Sequence, residues 1–121
     1  AMTISIQPWD RTAIGAIEKA IINSNLGFAP MNNGENIILN VPPLTEERRR
    51  ELAKQAKAET ESTKITVRNA RQDGMKELKK LDGVSEDLIK DAEDKIQVVT
   101  DKYVKMCDEQ LKAKEAEIMK V

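Results

Sequence analysis

The 121-residue sequence contains no histidine and a single cysteine, Cys107. The first absence removes the commonest general base and the commonest metal ligand. The second rules out an intrachain disulfide, and nothing demands an oxidising compartment. With no histidine to activate it, Cys107 is expected to pack. Aromatic residues make up only 2% of the chain, one each of Trp, Tyr and Phe, whereas charged residues make up 34%. That balance gives little material for a large globular core and suits long helices better than a sandwich or barrel. No apolar run approaches the ~20 residues that span a bilayer, and no signal-peptide pattern is present. A cytosolic protein with no membrane partner is expected. Gly27 and Gly34 fit no phosphate-binding loop. Asp and Glu alternate with Lys at helix spacing, as on a solvated face, and do not pair as catalytic carboxylates. No catalytic residue, metal site or cofactor is expected, and the chain is not read as an enzyme.

What the sequence does have is a long stretch, Thr45–Leu81, with no proline and one glycine, Gly74. A continuous helix there would run about 55 Å. Pro42 and Pro43 precede it and cannot lie inside it. Thr45 can cap its first turn, Glu46 and Glu47 suit the positive end of its dipole, and Gly83 can take the left-handed conformation that ends it. Leu52, Ala56, Thr60, Thr63, Val67, Ala70, Gly74 and Leu81 form a seam at three- and four-residue steps, weak because small and hydroxyl residues fill it. After Gly83, Ser85 can cap a second helix running to Met119, with a seam at Ala92, Ile96, Val99, Tyr103, Met106 and Ala113. So short a connection makes the two helices antiparallel neighbours.

A second line on the first helix carries charge. Lys57, Lys64, Arg68 and Arg71 fall within about 60° of one another, roughly a quarter-turn from the seam. Two arginines one turn apart can grip a phosphate backbone through paired hydrogen bonds, with counterion release adding to the affinity. The alternative is an ordinary solvated face. The net charge of −1 hides an uneven distribution: residues 44–81 carry eleven Lys and Arg against seven Asp and Glu, and residues 82–121 carry seven against eleven. An RNA contact would have to use the basic helix. Arg48, Arg49 and Arg50 spread around the helix and read first as salt-bridge partners of Glu46, Glu47 or Glu51.

Residues 1–43 read as a small β-α-β domain, and 44–121 as the helical hairpin. Ala1-Met2 reads as a cloning remnant. Thr3–Gln7 alternates as a half-buried strand ended by Pro8; Asp10 can cap a helix whose apolar face is Ala13, Ile14, Ile17, Ala20 and Ile21. Met31–Glu35 reads as a polar turn, and Asn36–Val41 as a second strand with Ile37, Leu39 and Val41 on one side. Trp9 and Phe28 are expected to anchor this domain's core and not to stack on bases. Val41, Pro42 and Pro43 mark the interdomain hinge, stiff and short of backbone donors.

The segments VPPLTEERRREL (Val41–Leu52), VRNARQD (Val67–Asp73) and DRTAIGAIEKAIINSNLGFAP (Asp10–Pro30) resemble the bacterial-type ribosome recycling factors, through nearly the whole chain. The resemblance implies an α+β protein with a three-helix bundle, of which this sequence supplies the long antiparallel helical hairpin, and a small β-rich domain. It implies a factor that acts with elongation factor G to split post-termination ribosomes. It also implies that Arg68 and Arg71, in the R-N-x-R motif, contact large-subunit rRNA. The family begins with a long helix and strands before the segment matching Thr3–Pro8, so the sequence reads as an N-terminally truncated member. Two hairpin seams can cover each other only partly. An apolar strip at Val67, Ala70, Ile96, Val99 and Tyr103 is therefore expected to stay open, and self-association is expected. The competing class is a helical-hairpin interaction module or adaptor with no RNA role.

Overall fold

The computed structural model describes residues 2–120, which leaves Ala1 and its reading as a cloning remnant outside the described residues. The chain divides into two compact units, Ala1–Leu44 and Thr45–Val121.

The first unit is a three-stranded antiparallel sheet with one helix. Strand β1 (Thr3–Ile6) and strand β2 (Pro30–Asn32) flank β3 (Ile37–Asn40). The register places Ile4, Leu39 and Pro30 across from one another, and likewise Ile6, Ile37 and Asn32. Ile37 is fully buried and Leu39 nearly so, as the alternation predicts. Asp10 caps as expected: its carboxylate accepts from the Thr12 backbone N–H at 2.9 Å and from the Thr12 hydroxyl at 2.8 Å. These two bonds hold the Asp10 carboxyl below its usual range, the backbone bond contributing most. A single 3-10 turn follows, then helix α1 (Ile14–Asn23). Glu18 of α1 accepts from Asn32 of β2 at 2.8 Å. Asn32 and Ile37 share a sheet face, so α1 covers the face on which the core lies.

Two expectations for this unit need correcting. Met31 is not in the turn but in β2, which Pro30 opens; proline is tolerated there because β2 is an edge strand. The turn is 33–36, where Asn33 accepts from the N–H groups of Glu35 and Asn36 at 3.0 and 2.7 Å. Trp9 does not anchor the core: it is fully exposed, at 105% relative accessibility. It lies between Pro8, which ends the strand, and the capping Asp10, while α1 already covers the Ile37 face. Phe28 is half-buried.

The second unit is a hairpin of two 34-residue helices, α2 (Glu46–Lys79) and α3 (Glu86–Met119). Thr45 and Ser85 cap them, each hydroxyl accepting from the N–H three residues on, at 3.1 and 3.3 Å. Gly83 takes a left-handed conformation, φ 73°, in the connection. The helices meet over Ala56, Thr60, Val67 and Gly74 of α2 and Ile96, Thr100, Cys107 and Leu111 of α3, all half-buried except Thr100, which is buried. A Cβ at Gly74 would lie 3.4 Å from Ile96 Cδ1, an ordinary van der Waals contact, so this position faces α3 directly. The seams read from sequence divide here. Thr63 and Ala70 of α2, Leu81 in the connection beyond its end, and Val99, Tyr103, Met106 and Ala113 of α3 are exposed. Two helices can cover only one side of an apolar stripe, and the other side opens outward.

That open side is a groove. One stretch, of about 500 Å³, is lined by Val67, Ala70, Gly74, Ile96, Val99 and Tyr103, which includes the strip expected from sequence. A second stretch, between Ala56–Thr63 of α2 and Cys107–Lys114 of α3, continues it toward the far end of the hairpin.

Candidate nucleic-acid interface

The four stripe cations sit on one flank of α2 but in three different situations. Lys64 is largely covered, its side chain 12% exposed, and its ammonium pairs with Asp108 of α3 and, at 3.4 Å, with Glu61. The hydrogen bond to Asp108 is the main reason its pKa is raised. Lys64 therefore ties the two helices together. Arg71 is half-buried at the edge of the contact face, where its Nε donates to Gln97 Oε1 at 2.6 Å. Arg68 and Lys57 are exposed, and neither has a side-chain partner among the described residues. Sequence spacing placed all four a quarter-turn from the seam. The true contact face is rotated toward them, which draws Lys64 and Arg71 to its edge and leaves Arg68 and Lys57 outside.

The triple arginine at the start of α2 also separates. Arg48 pairs with Glu51 at 3.0 Å and Arg50 with Glu46 at 2.6 Å, the salt bridges expected. Arg49 does something the sequence did not reveal. Its Nη1 donates to the carbonyls of Ile118 and Lys120, both at 2.6 Å, at the far end of α3. The last carbonyls of a helix lack intrahelical donors and carry its negative dipole end, so a guanidinium there satisfies both needs. No local pattern signals it, because the partners lie about seventy residues away.

At the end of the first unit, Val41 donates to the Met2 carbonyl at 2.8 Å, adding a bond beyond the β1–β3 register. Pro42, Pro43 and Leu44 follow with no regular structure and are exposed. No grouping of metal-ligating side chains occurs among the described residues, and no helix is long and apolar enough to cross a membrane.

Residues 1–119 match the model of the family described as ribosome recycling factor. The chain belongs to the ribosome recycling factor family. It is 58% identical to the ribosome-recycling factor of Flavobacterium johnsoniae, covering all of this chain and 66% of that protein. Against that of Bacteroides thetaiotaomicron it is 56% identical, again over all of this chain and 66% of the relative. The chain thus spans just under two thirds of the length of these relatives. It is also similar to a solution structure of a ribosome recycling factor, with 43% identity and a TM-score of 0.61 over 99% of this chain and 65% of that one. A further likeness is to the T. thermophilus ribosome recycling factor bound, with E. coli elongation factor G, to the E. coli post-termination complex, at 40% identity and TM-score 0.52, over 98% of this chain and 65% of that one. An α+β fold with a helical-hairpin arm is what these structures share with the chain.

The Arg49 clamp gives a direct test. Replacing Arg49 by Ala should lower stability by about 2 kcal/mol, the range for lost charged hydrogen bonds. It should also speed amide exchange in the last turn of α3 while leaving the middle of the helix protected. Unchanged exchange at Glu117–Lys120 would remove the clamp.

Proposed function

We propose that this chain is the ribosome-docking part of a translation factor that recycles post-termination ribosomes together with elongation factor G. Its α2 lies on large-subunit rRNA through Arg68 and Arg71, assisted by Lys57. The observation that carries the reading is Arg68: a guanidinium with no partner among the described residues, one turn from an anchored second arginine, in the R-N-x-R segment of a family member. A guanidinium that pays no cost for leaving an existing salt bridge is available to phosphate. Support for the partners comes from the related factor bound, with elongation factor G, to a post-termination complex. Lys64 takes a structural role in this reading. Val41, Pro42 and Pro43 form the hinge about which the two units reorient, and the chemical energy comes from GTP hydrolysis by the elongation factor. The chain catalyses no step itself, in keeping with a sequence that has no histidine, and it works in the cytoplasm.

The test is ribosome binding against salt. The logarithm of affinity for large subunits should fall linearly with the logarithm of salt concentration. Arg68→Ala should weaken binding about tenfold at low salt and flatten that slope by about one. Lys64→Met should leave the slope unchanged. Wild-type affinity and slope in Arg68→Ala would reject the assignment.

The competing reading, an interaction module, draws on the open groove. It takes the form of self-association, with a second copy of this chain as the occupant. The groove is edged by Glu59 on the α2 side and by Lys114 and Lys95 on the α3 side, with Glu59 and Lys114 in the same stretch. Two grooves facing each other, with α2 over the other copy's α3, set acid against base. A groove running from Ala56 to Gly74 is about 27 Å long, and at about 20 Å wide it buries on the order of 1,000 Å² from two copies. That lies at the low end for a specific dimer, so a micromolar dissociation constant is expected. Sedimentation equilibrium should show a concentration-dependent dimer that Tyr103→Lys abolishes without loss of helicity. A monomer at every concentration would contradict it.

A further inference from the structure

Arg71 is the one stripe cation whose orientation is fixed through a chain of neutral and acidic groups. Its Nε donates to Gln97 Oε1 at 2.6 Å, and Gln97 Nε2 in turn donates to Asp101 Oδ1 at 2.8 Å. The order of donors and acceptors is chemically unique. An arginine Nε can only donate, and an ionised carboxylate can only accept. The Gln97 amide must therefore turn its oxygen to Arg71 and its nitrogen to Asp101; flipped, it would set donor against donor and acceptor against acceptor. Gln97 and Asp101 lie four residues apart on α3, so one helical turn holds the pair in register. Gln97 is half-buried beside the helix contact face, which limits its rotamers.

We propose that Gln97, locked by Asp101, is a positioning residue for Arg71: it fixes the guanidinium plane by its Nε and leaves the two terminal nitrogens, which have no partner among the described residues, free to take a phosphate. The proposal rests on the reading of Arg71 as an rRNA contact and adds to it the device that prepares the contact. A free arginine loses much rotamer freedom when it grips a phosphate, and a guanidinium held in advance loses less. A neutral amide suits the task better than a carboxylate. Glutamate at position 97 would hold Arg71 in an ion pair and compete with the phosphate. The amide orients without cancelling the charge. Asp101 is one residue further from the cation, so its charge acts on the amide and only weakly on Arg71.

The test has two independent readouts. In the first, with no ribosome present, the Arg71 Nε–Hε resonance of the 15N-labelled chain should exchange slowly with water. Gln97→Met should make it exchange as fast as that of Arg68. Asp101→Ala should speed it partly, and Asp101→Asn, which keeps an oxygen to accept from the Gln97 amide, should restore it. In the second, Gln97→Met should weaken binding to bacterial large ribosomal subunits about three- to tenfold. The salt slope should stay unchanged, because no charge is lost, whereas Arg71→Ala should reduce both affinity and slope. Placed in the Arg71→Ala background, Gln97→Met should have no further effect, which a general loss of helix packing would not give. Circular dichroism establishes that each variant keeps its helices. An Arg71 Hε that exchanges equally fast in wild type and Gln97→Met overturns the positioning role. So does a Gln97→Met effect that persists without Arg71. If Arg71→Ala binds as wild type does, the rRNA reading fails by itself, and the resonance experiment still decides whether the lock exists.

Discussion

The helical unit depends on a single contact face between α2 and α3, narrow and built largely from small residues. Ala56, Thr60 and Gly74 contribute little apolar area. Thr100, the one buried polar residue among the described residues, returns its hydroxyl to the Ile96 carbonyl at 2.8 Å, so it fills space without an unmet hydrogen bond. Polar cross-links therefore share in fixing the register. The Lys64–Asp108 pair near the middle, the Arg71–Gln97 bond toward the turn and the Arg49 clamp at the open end are spaced along the hairpin. Each ties a cation of the basic helix to an acceptor on the acidic one. A one-turn slip would break all three and would also displace the larger apolar residues of the face, Val67, Ile96 and Leu111.

The same contact sorts charge into structural and available groups. The basic helix carries eleven cations in residues 44–81, but several are engaged on α2 itself or by α3. Five cations of α2, Lys54, Lys57, Arg68, Lys76 and Lys79, are exposed with no side-chain partner among the described residues, and Arg68 and Lys57 are the two of them on the stripe. The groove side offers an apolar surface edged by charges of both signs. One hairpin thus presents two chemically different surfaces: a basic flank suited to a polyanion and an apolar trough suited to another helix.

Much of this was legible in the sequence. Helix starts at Thr45 and Ser85, the left-handed Gly83 and the paired burial of Ile37 and Leu39 follow from local chemistry, and all appear within two residues of the expected places. The open strip at Val67, Ala70, Ile96, Val99 and Tyr103 followed from the resemblance, which implies a three-helix bundle of which this chain supplies two helices. The details that were missed depend on distant partners. Strand β2 at Pro30–Asn32 is too short and too polar to show a period, and it exists because β3 offers it an edge. Trp9 was expected inside because a lone tryptophan beside an N-cap usually packs, yet it is fully exposed between Pro8 and the capping Asp10. The rotation of the contact face, which separates Lys64 from Arg68, cannot be read from α2 alone, since it depends on which side of the stripe α3 selects.

The most direct test of the central claim, that the Arg68 flank of α2 meets large-subunit rRNA, is hydroxyl-radical probing from a single tethered iron chelate. Cys107 would be replaced by Ser, and a cysteine placed in turn at Gln72, on the flank beside Arg68 and Arg71, or at Lys102, on α3. The account predicts localised cleavage of large-subunit rRNA from the Gln72 position, lost with Arg68→Ala and at high salt, and far weaker cleavage from Lys102. Cleavage from Lys102 alone, or none from Gln72 on ribosomes that bind the chain, would contradict it.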